Sequence, residues 1–218
     1  MGGVDLSEES ISRLSPGELV AVLKDLRPDD PGLATLDIDV VGRRIDPKRL
    51  SRAEFVELLT ALGRLADAGA DVDLSKLDAR TFARVISRAS GDQIEDAARD
   101  PALRGRVLDE LFRRMTEHFI PERARAGRHV MEFRVTGAER ADGHDHYVAV
   151  IEDRRCAVMR DVPDDVKTQI TVGPADLLRL ATGNASPTFL FLRGKIKVKG
   201  SIGFATAFMN LFELPRPD

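Results

Sequence analysis

At Pro121 the hydrophobic period of the chain changes, and no feature of the sequence constrains its fold more. Upstream, apolar residues recur at the three- and four-residue spacing of helices; downstream they alternate with polar ones, as in half-buried strands. A chain that segregates its helices from its strands folds as α+β rather than as alternating βαβ units.

In the helical part, Ser15-Pro16-Gly17-Glu18 combines an N-cap, a first-turn proline and a capping-box glutamate ahead of Leu19, Val20, Val22, Leu23 and Leu26. After a Pro-rich joint at 27–31, Ser51 and Glu54 open a longer helix carrying Phe55, Leu58, Leu59, Leu62 and Leu65, with Gly69 at its end. Beyond an Asp-rich joint at 71–78, residues 77–90 and 92–98 predict two shorter helices, the first built on Phe82. Asp100-Pro101 then caps a strong one. There Leu103, Val107, Leu108, Leu111, Phe112, Met115 and Phe119 form one wide stripe, with Arg104, Arg106, Asp109, Arg113, Arg114 and Glu117 expected off it.

Beyond Pro121, residues 129–136 alternate strictly, Asp142-Gly143 supplies a turn, and 147–152 with 156–161 predict a hairpin around 153–155. A fourth strand is predicted at 168–172, then a helix over 175–182 opened by Gly173-Pro174 and closed by Gly183-Asn184. Ser186-Pro187 opens a short helix, although Thr188, Phe189, Leu190 and Phe191 favour a strand by propensity. At 194–200 Lys195, Lys197 and Lys199 alternate with Ile196 and Val198, a strand with one wet face and one core face. Residues 201–214 are apolar nearly all round, which predicts a terminal helix partnered on every side and stopped by Pro215. Short turns between strands predict a mostly antiparallel sheet.

A length of 218 residues suffices for one large domain or one domain with an attachment, and 43% hydrophobic with 32% charged residues argues against wholesale disorder. The net charge of −3 offers no global positive field for a phosphate backbone, so nucleic acid is not an expected partner. Cys156 is the sole cysteine, which excludes an intramolecular disulfide and a multi-cysteine metal site and fits a reducing, cytoplasmic setting. Met1-Gly2-Gly3-Val4-Asp5 lacks a basic segment and a long apolar run, and no stretch approaches the ~20 apolar residues of a spanning helix. The expectation is a chain neither exported nor membrane-spanning.

The segment Gly194-Lys195-Ile196-Lys197-Val198-Lys199-Gly200, followed by Ser201-Ile202-Gly203 and an apolar terminal run, resembles the last strand and helix of the sterol carrier protein type 2 family. Thr171-Val172-Gly173-Pro174-Ala175-Asp176-Leu177-Leu178 agrees. So does the element order from about Asp100 to Leu214: helix, three-stranded meander, fourth strand, helix, small helix, fifth strand, final helix. The resemblance covers the C-terminal half. It implies an α+β domain with a five-stranded, mostly antiparallel sheet covered by helices. Such a domain holds a sterol, fatty acid or fatty acyl-coenzyme A in an apolar tunnel, without catalysis and without a cofactor.

Phe189, Phe191, Phe204, Phe208 and Phe212, five of the ten phenylalanines, fall within this stretch. Phe204, Phe208, Leu211 and Phe212 stand on one side of the last helix, with Ile202, Ala205 and Met209 beside them. The expected lipid-binding residues are Phe189, Phe191, Ile202, Phe204, Phe208, Met209, Leu211 and Phe212. Ordinary core packing gives the same spacing, and the stripe alone does not decide. Lys195, Lys197 and Lys199, with Arg193 adjacent, suit a lipid headgroup, the phosphates of coenzyme A or an anionic membrane surface. A solvated strand face that blocks edge-to-edge pairing is the competing reading.

Other chemistry fails on spacing. His144-Asp145-His146 would put two imidazoles on one face of a strand, but no third ligand follows at a recognised interval, and a polar hairpin turn is expected. Asp37, Asp39 and Gly42 match positions one, three and six of an EF-hand loop, yet Val41 and Lys48 hold positions five and twelve. Cys156, flanked by Arg154 and Arg155, could be a nucleophile of depressed pKa, but a buried strand thiol alternating with Val158 is the expected reading. Glycine-rich nucleotide loops, the Gly-x-Ser-x-Gly elbow and the zinc-protease helix do not occur. No catalytic or metal site is therefore expected.

The expected organisation is a helical region at 1–98 of unassigned role and a sterol-carrier-like domain at 99–218. The expected function is non-catalytic binding or intracellular transfer of a lipid. The competing class is an interaction protein with a filled sterol-carrier-like fold whose N-terminal helices dock a partner such as an acyl-coenzyme A enzyme.

Overall fold

The computed structural model describes residues 5–70 and 72–213, so the readings of Met1 to Val4, Asp71, Leu214 and Pro215 fall outside the described residues. The chain divides into two compact units between Val107 and Leu108.

The first unit contains α1 (Glu8–Arg13), α2 (Pro16–Asp25), α3 (Ile38–Arg44), α4 (Arg52–Asp67), α5 (Ala79–Arg88) and α6 (Gly91–Ala97). Both expected capping boxes form: Ser15 and Ser51 accept from the Glu18 and Glu54 backbone, whose carboxylates accept back from Ser15 and Ser51 N–H at 2.8 and 2.7 Å. A third box joins Ser90 to Gln93. Its buried Gln93 amide also donates to the Pro47 and Leu50 carbonyls at 2.9 and 3.0 Å, which ties α6 to the approach to α4. α2 and α6 pack on α4, whose Phe55, Leu58, Leu62 and Leu65 are buried, while α3 packs on α1 and α5. Each such side chain contributes about 1.5–3 kcal/mol on leaving water.

α7 (Pro101–Glu117) starts where Asp100 Oδ1 accepts from the Ala102 and Leu103 N–H groups at 2.8 and 3.0 Å. Leu103, Leu108, Leu111 and Phe112 of its stripe are buried. Arg104 and Arg114, read as lying largely off the stripe, are nonetheless buried, as is Glu110. The Glu110 carboxylate accepts from Arg114 Nε at 2.5 Å and from Arg113 at 2.7 Å. An arginine can fold back four residues along its helix onto a buried carboxylate, so its charge does not force it into water.

The second unit is built on β1 (His129–Thr136), β2 (His144–Glu152), β3 (Arg155–Met159), β4 (Thr168–Val172) and β5 (Ile196–Lys199), in the order β3-β2-β1-β4-β5. Three pairings are antiparallel and β1–β4 is parallel; β2 takes one edge of β1 and β4 the other. The hairpin turns on Asp153 and Arg154 alone, with φ of 50° and 58°, the left-handed pair a type I′ turn requires. β2 begins earlier than the sequence predicts, at His144, because β1 continues far enough to pair Thr136 with it. β3 stops earlier, at Met159, where Arg160 leaves the ladder to lie 3.6 Å from the Tyr147 ring centroid.

α8 (Pro174–Ala181), α9 (Pro187–Leu192) and α10 (Ile202–Met209) complete the unit. The lysine-rich strand must close on a glycine: Gly200 has φ +97°, and a Cβ there would meet the Lys167 carbonyl oxygen at 2.1 Å. α10 is capped by Ser201, whose hydroxyl accepts from the Phe204 N–H at 3.1 Å. It ends at Met209, short of the expected run to 214. The chain instead straightens so that Leu211 O and Glu213 N bond Ile120 N and His118 O, each at 2.8 Å. Nor is α10 partnered on every side, since Ile202, Thr206 and Ala207 are exposed while Ala205 and Phe208 are buried.

Candidate functional site

The strand register places Met131, Phe133 and Val135 of β1, Tyr147 and Ala149 of β2, and Ile170 and Val172 of β4 on one face of the sheet. A row of rings crosses that face. Phe112 of α7 meets Phe133 at 5.3 Å, Phe133 meets Phe208 of α10 at 6.2 Å, and Phe208 meets Phe212 at 5.3 Å. Phe212 continues to Phe119 at 5.8 Å, and Phe204 stands 6.0 Å from Phe208.

The expected lipid-binding residues therefore separate into two groups. Phe208 and Phe212 are buried, with Phe204, Met209 and Leu211 half-buried beside them. Phe189, Phe191 and Ile202 are 51%, 40% and 53% exposed. In α9 it is Leu190 that points inward. Lys195, Lys197 and Lys199 are all exposed at the edge strand β5, and the Arg193 guanidinium lies 4.6 Å from the Phe189 ring centroid.

The opposite face of the sheet buries Val130, Val148 and Val150, with Val166 against them. Beside them, the histidine cluster lies on β2 rather than in a turn, with the His144 and His146 rings 6.4 Å apart. His146 sits between the buried Glu132 (Nδ1 to Oε1, 2.6 Å) and Asp142 (Nε2 to Oδ2, 2.8 Å). Partial burial pushes the Asp142 pKa up, but the His144 N–H, Arg134 and His146 outweigh it and hold it at about 2. Among the described residues no group of three or more His, Cys, Asp or Glu is placed to hold a metal ion.

Nothing in the periodicity marks a cleft of about 470 Å³ between α7 and the β2–β3 end of the sheet. It forms because the register brings Tyr147, the chain's only tyrosine, under Phe112, with the rings stacked at 4.0 Å. The Tyr147 hydroxyl donates to Asp109 at 2.9 Å, and burial pushes its pKa up. The cleft's two arginines are neutralised locally, Arg160 by Asp109 and Arg113 by Glu110 and Glu117. Cys156 lines the same cleft, and burial raises its thiol pKa to about 11. No helix among the described residues is long and apolar enough to cross a membrane.

Residues 108–213 match the model of the SCP-2 sterol transfer family. Among solved structures, palmitated SCP2L2 from Aedes aegypti is similar at 17% identity, over 48% of this chain and 93% of that one, with a TM-score of 0.39. The sterol carrier protein domain 2 of Helicoverpa armigera is similar at 24% identity, over 48% of this chain and 79% of that one, with a TM-score of 0.33. The stereoselective inverting sec-alkylsulfatase Pisa1 from Pseudomonas sp. is similar at 12% identity, over 88% of this chain and 35% of that one, with a TM-score of 0.43. No curated protein matches. The matched residues carry the whole five-stranded sheet together with α8, α9 and α10, and residues 108–213 are thus a domain of the SCP-2 sterol transfer family.

Proposed function

We propose that the chain binds a long-chain lipid, a sterol, fatty acid or fatty acyl-coenzyme A, and carries it in the cytoplasm without transforming it. The observation that supports this reading most is the row of rings between α10 and the sheet, inside the segment that the family model spans. In this reading an apolar tunnel runs along α10, lined by Phe204, Phe208, Met209, Leu211 and Phe212. The small residues Gly203, Ala205 and Ala207 let the helix lie close to an acyl chain or ring system. Exposed Phe189, Phe191 and Ile202 stand outside it. Binding belongs to residues 99–218, and residues 1–98 serve as an accessory region that offers its surface to a protein partner.

The competing scaffold reading takes the same rings as a filled core. Displacement of a fluorescent fatty acid, with native mass spectrometry of the purified protein, separates the two. Saturable binding that unlabelled long-chain lipid displaces is expected. No saturable binding and no co-purified lipid would overturn the carrier reading in favour of a filled core.

A further inference from the structure

We infer that α9 and the start of β5 form a docking surface for an anionic lipid bilayer. This inference rests on the carrier reading and names the surface against which cargo would be exchanged.

Three large apolar side chains in one six-residue helix face outward: Phe189, Phe191 and Leu192 are 51%, 40% and 79% exposed. Only Leu190 is buried, which fixes the helix to the domain while its apolar surface stays outside. A helix that presents apolar groups to water and keeps one anchor inward is inverted for a soluble surface and suited to an interface. Cations follow directly. Gly194 N–H donates to Phe191 O and Lys195 N–H to Leu190 O, both at 2.9 Å, so the first lysine is held at the end of the apolar helix.

Arg193, Lys195, Lys197 and Lys199 are all exposed, and among the described residues none of the four enters an ion pair. The chain has 36 acidic residues in 218, yet the 36 residues from 177 to 212 hold no Asp or Glu. A chain of net charge −3 thus keeps a locally uncompensated positive strip beside its exposed phenylalanines. Apolar insertion flanked by free lysines is complementary to an acyl boundary under anionic headgroups. Elsewhere Arg52, Arg88, Arg113 and Arg160 are each paired with a carboxylate, which the four cations of this strip are not.

The test is co-sedimentation of the full chain with phosphatidylcholine vesicles, with and without about one third phosphatidylglycerol. Binding to the anionic vesicles alone, weakening as salt shortens the Debye length, is expected. Each lysine near the surface is worth about fivefold, so Lys195→Gln, Lys197→Gln and Lys199→Gln together should lower the partition coefficient by about a hundredfold. Leu192→Gln, at a residue outside the proposed tunnel, should weaken partition while leaving fatty-acid affinity in vesicle-free solution unchanged. Wild-type protein that ignores both vesicle types while binding the fatty acid would overturn the docking surface alone and leave the patch to a protein partner. Equal binding to neutral and anionic vesicles, or variants that partition like wild type, would overturn it too. Loss of fatty-acid binding with intact partition would instead count against the carrier reading.

Discussion

The Phe208 ring lies 6.2 Å from that of Phe133, inclined at 60°, in the tilted arrangement that aromatic pairs prefer. Phe133 is central in the sheet, on the strand that pairs with both β2 and β4, and Phe208 is the innermost residue of α10. This pair joins α10, which also packs on β4 and β5, to the middle of the sheet. If a lipid enters along α10, this pair is where it must be accommodated.

Truncating Phe208 to alanine is expected to cost about 3–5 kcal/mol, the range for emptying a buried aromatic site. Phe208→Asp should cost more and abolish fatty-acid binding, since an unpaired carboxylate would replace a ring that is 1% exposed. Urea denaturation with the fluorescent ligand assay checks both. A Phe208→Asp protein with wild-type stability and binding would show that α10 does not bury this face.

Gly200→Ala is a sharper test of the lysine-strand motif. The added Cβ would sit 2.1 Å from the Lys167 carbonyl oxygen, on a backbone with φ +97° that alanine disfavours. A loss of at least about 2 kcal/mol is expected, since strain and displacement of backbone add. Gly194, also left-handed at φ +68° but with open space around its Cβ position, should lose less on the same substitution.

The difference between these glycines also shows what could be read in advance. The caps at Ser15, Ser51 and Asp100 and the strands around Phe133 and Ile196 were legible because each depends on neighbours within a few residues. The parallel β1–β4 pairing was not, since strand order depends on which edge of β1 remains free after the hairpin forms. Burial of Glu110 with Arg114 escaped for a related reason: hydrophobic periodicity assigns charge to solvent and does not see two charges satisfying one another. The phenylalanines divided for a third. Phe189 and Phe208 have the same composition signal, but only the second lies on a helix that crosses the inner face of the sheet. The early end of α10 rests on backbone bonds to residues 118 and 120, about ninety positions away and invisible to any local window.

Cys156 should react slowly. Its thiol pKa is raised by burial from 9.0 to about 11, so the thiolate fraction at neutral pH is lower by about a hundredfold than for a free thiol. Iodoacetamide labelling of the native protein should be slower by about that factor, should accelerate with pH up to about 11, and should become ordinary in denaturant. Rapid labelling at neutral pH would show that the cleft opens at this strand.

Acid sensitivity of the helical unit should run partly through Asp46. The hydrogen-bonded Arg88 holds its carboxyl at about 2, below the ordinary 3.8. A depressed carboxylate stabilises the fold fully above the unfolded value, and that contribution is lost as pH falls through about 4 to about 2. In Arg88→Gln the wild-type advantage should therefore be present near neutrality and shrink across that interval. Denaturation midpoints of the two proteins, compared at each pH, give the difference. An advantage unchanged down to pH about 2 would show that the pair carries no proton linkage.

Residues 99–218 expressed alone are expected to fold and to bind the fluorescent fatty acid with the affinity of the full chain. The choice of boundary matters physically. A fragment starting at Leu108 would begin inside α7 with its first N–H groups uncapped, whereas starting at Arg99 retains the Asp100 side chain that accepts from Ala102 and Leu103. Every residue proposed to line the tunnel, from Phe204 to Phe212, lies in the fragment, as do Phe112 and Phe133, which continue the row of rings. Circular dichroism and dispersed amide resonances establish folding, and ligand titration then gives affinity. Unchanged affinity supports an accessory role for residues 1–98. A folded fragment that no longer binds would show that those residues build part of the lipid site, and would overturn the proposed division of labour.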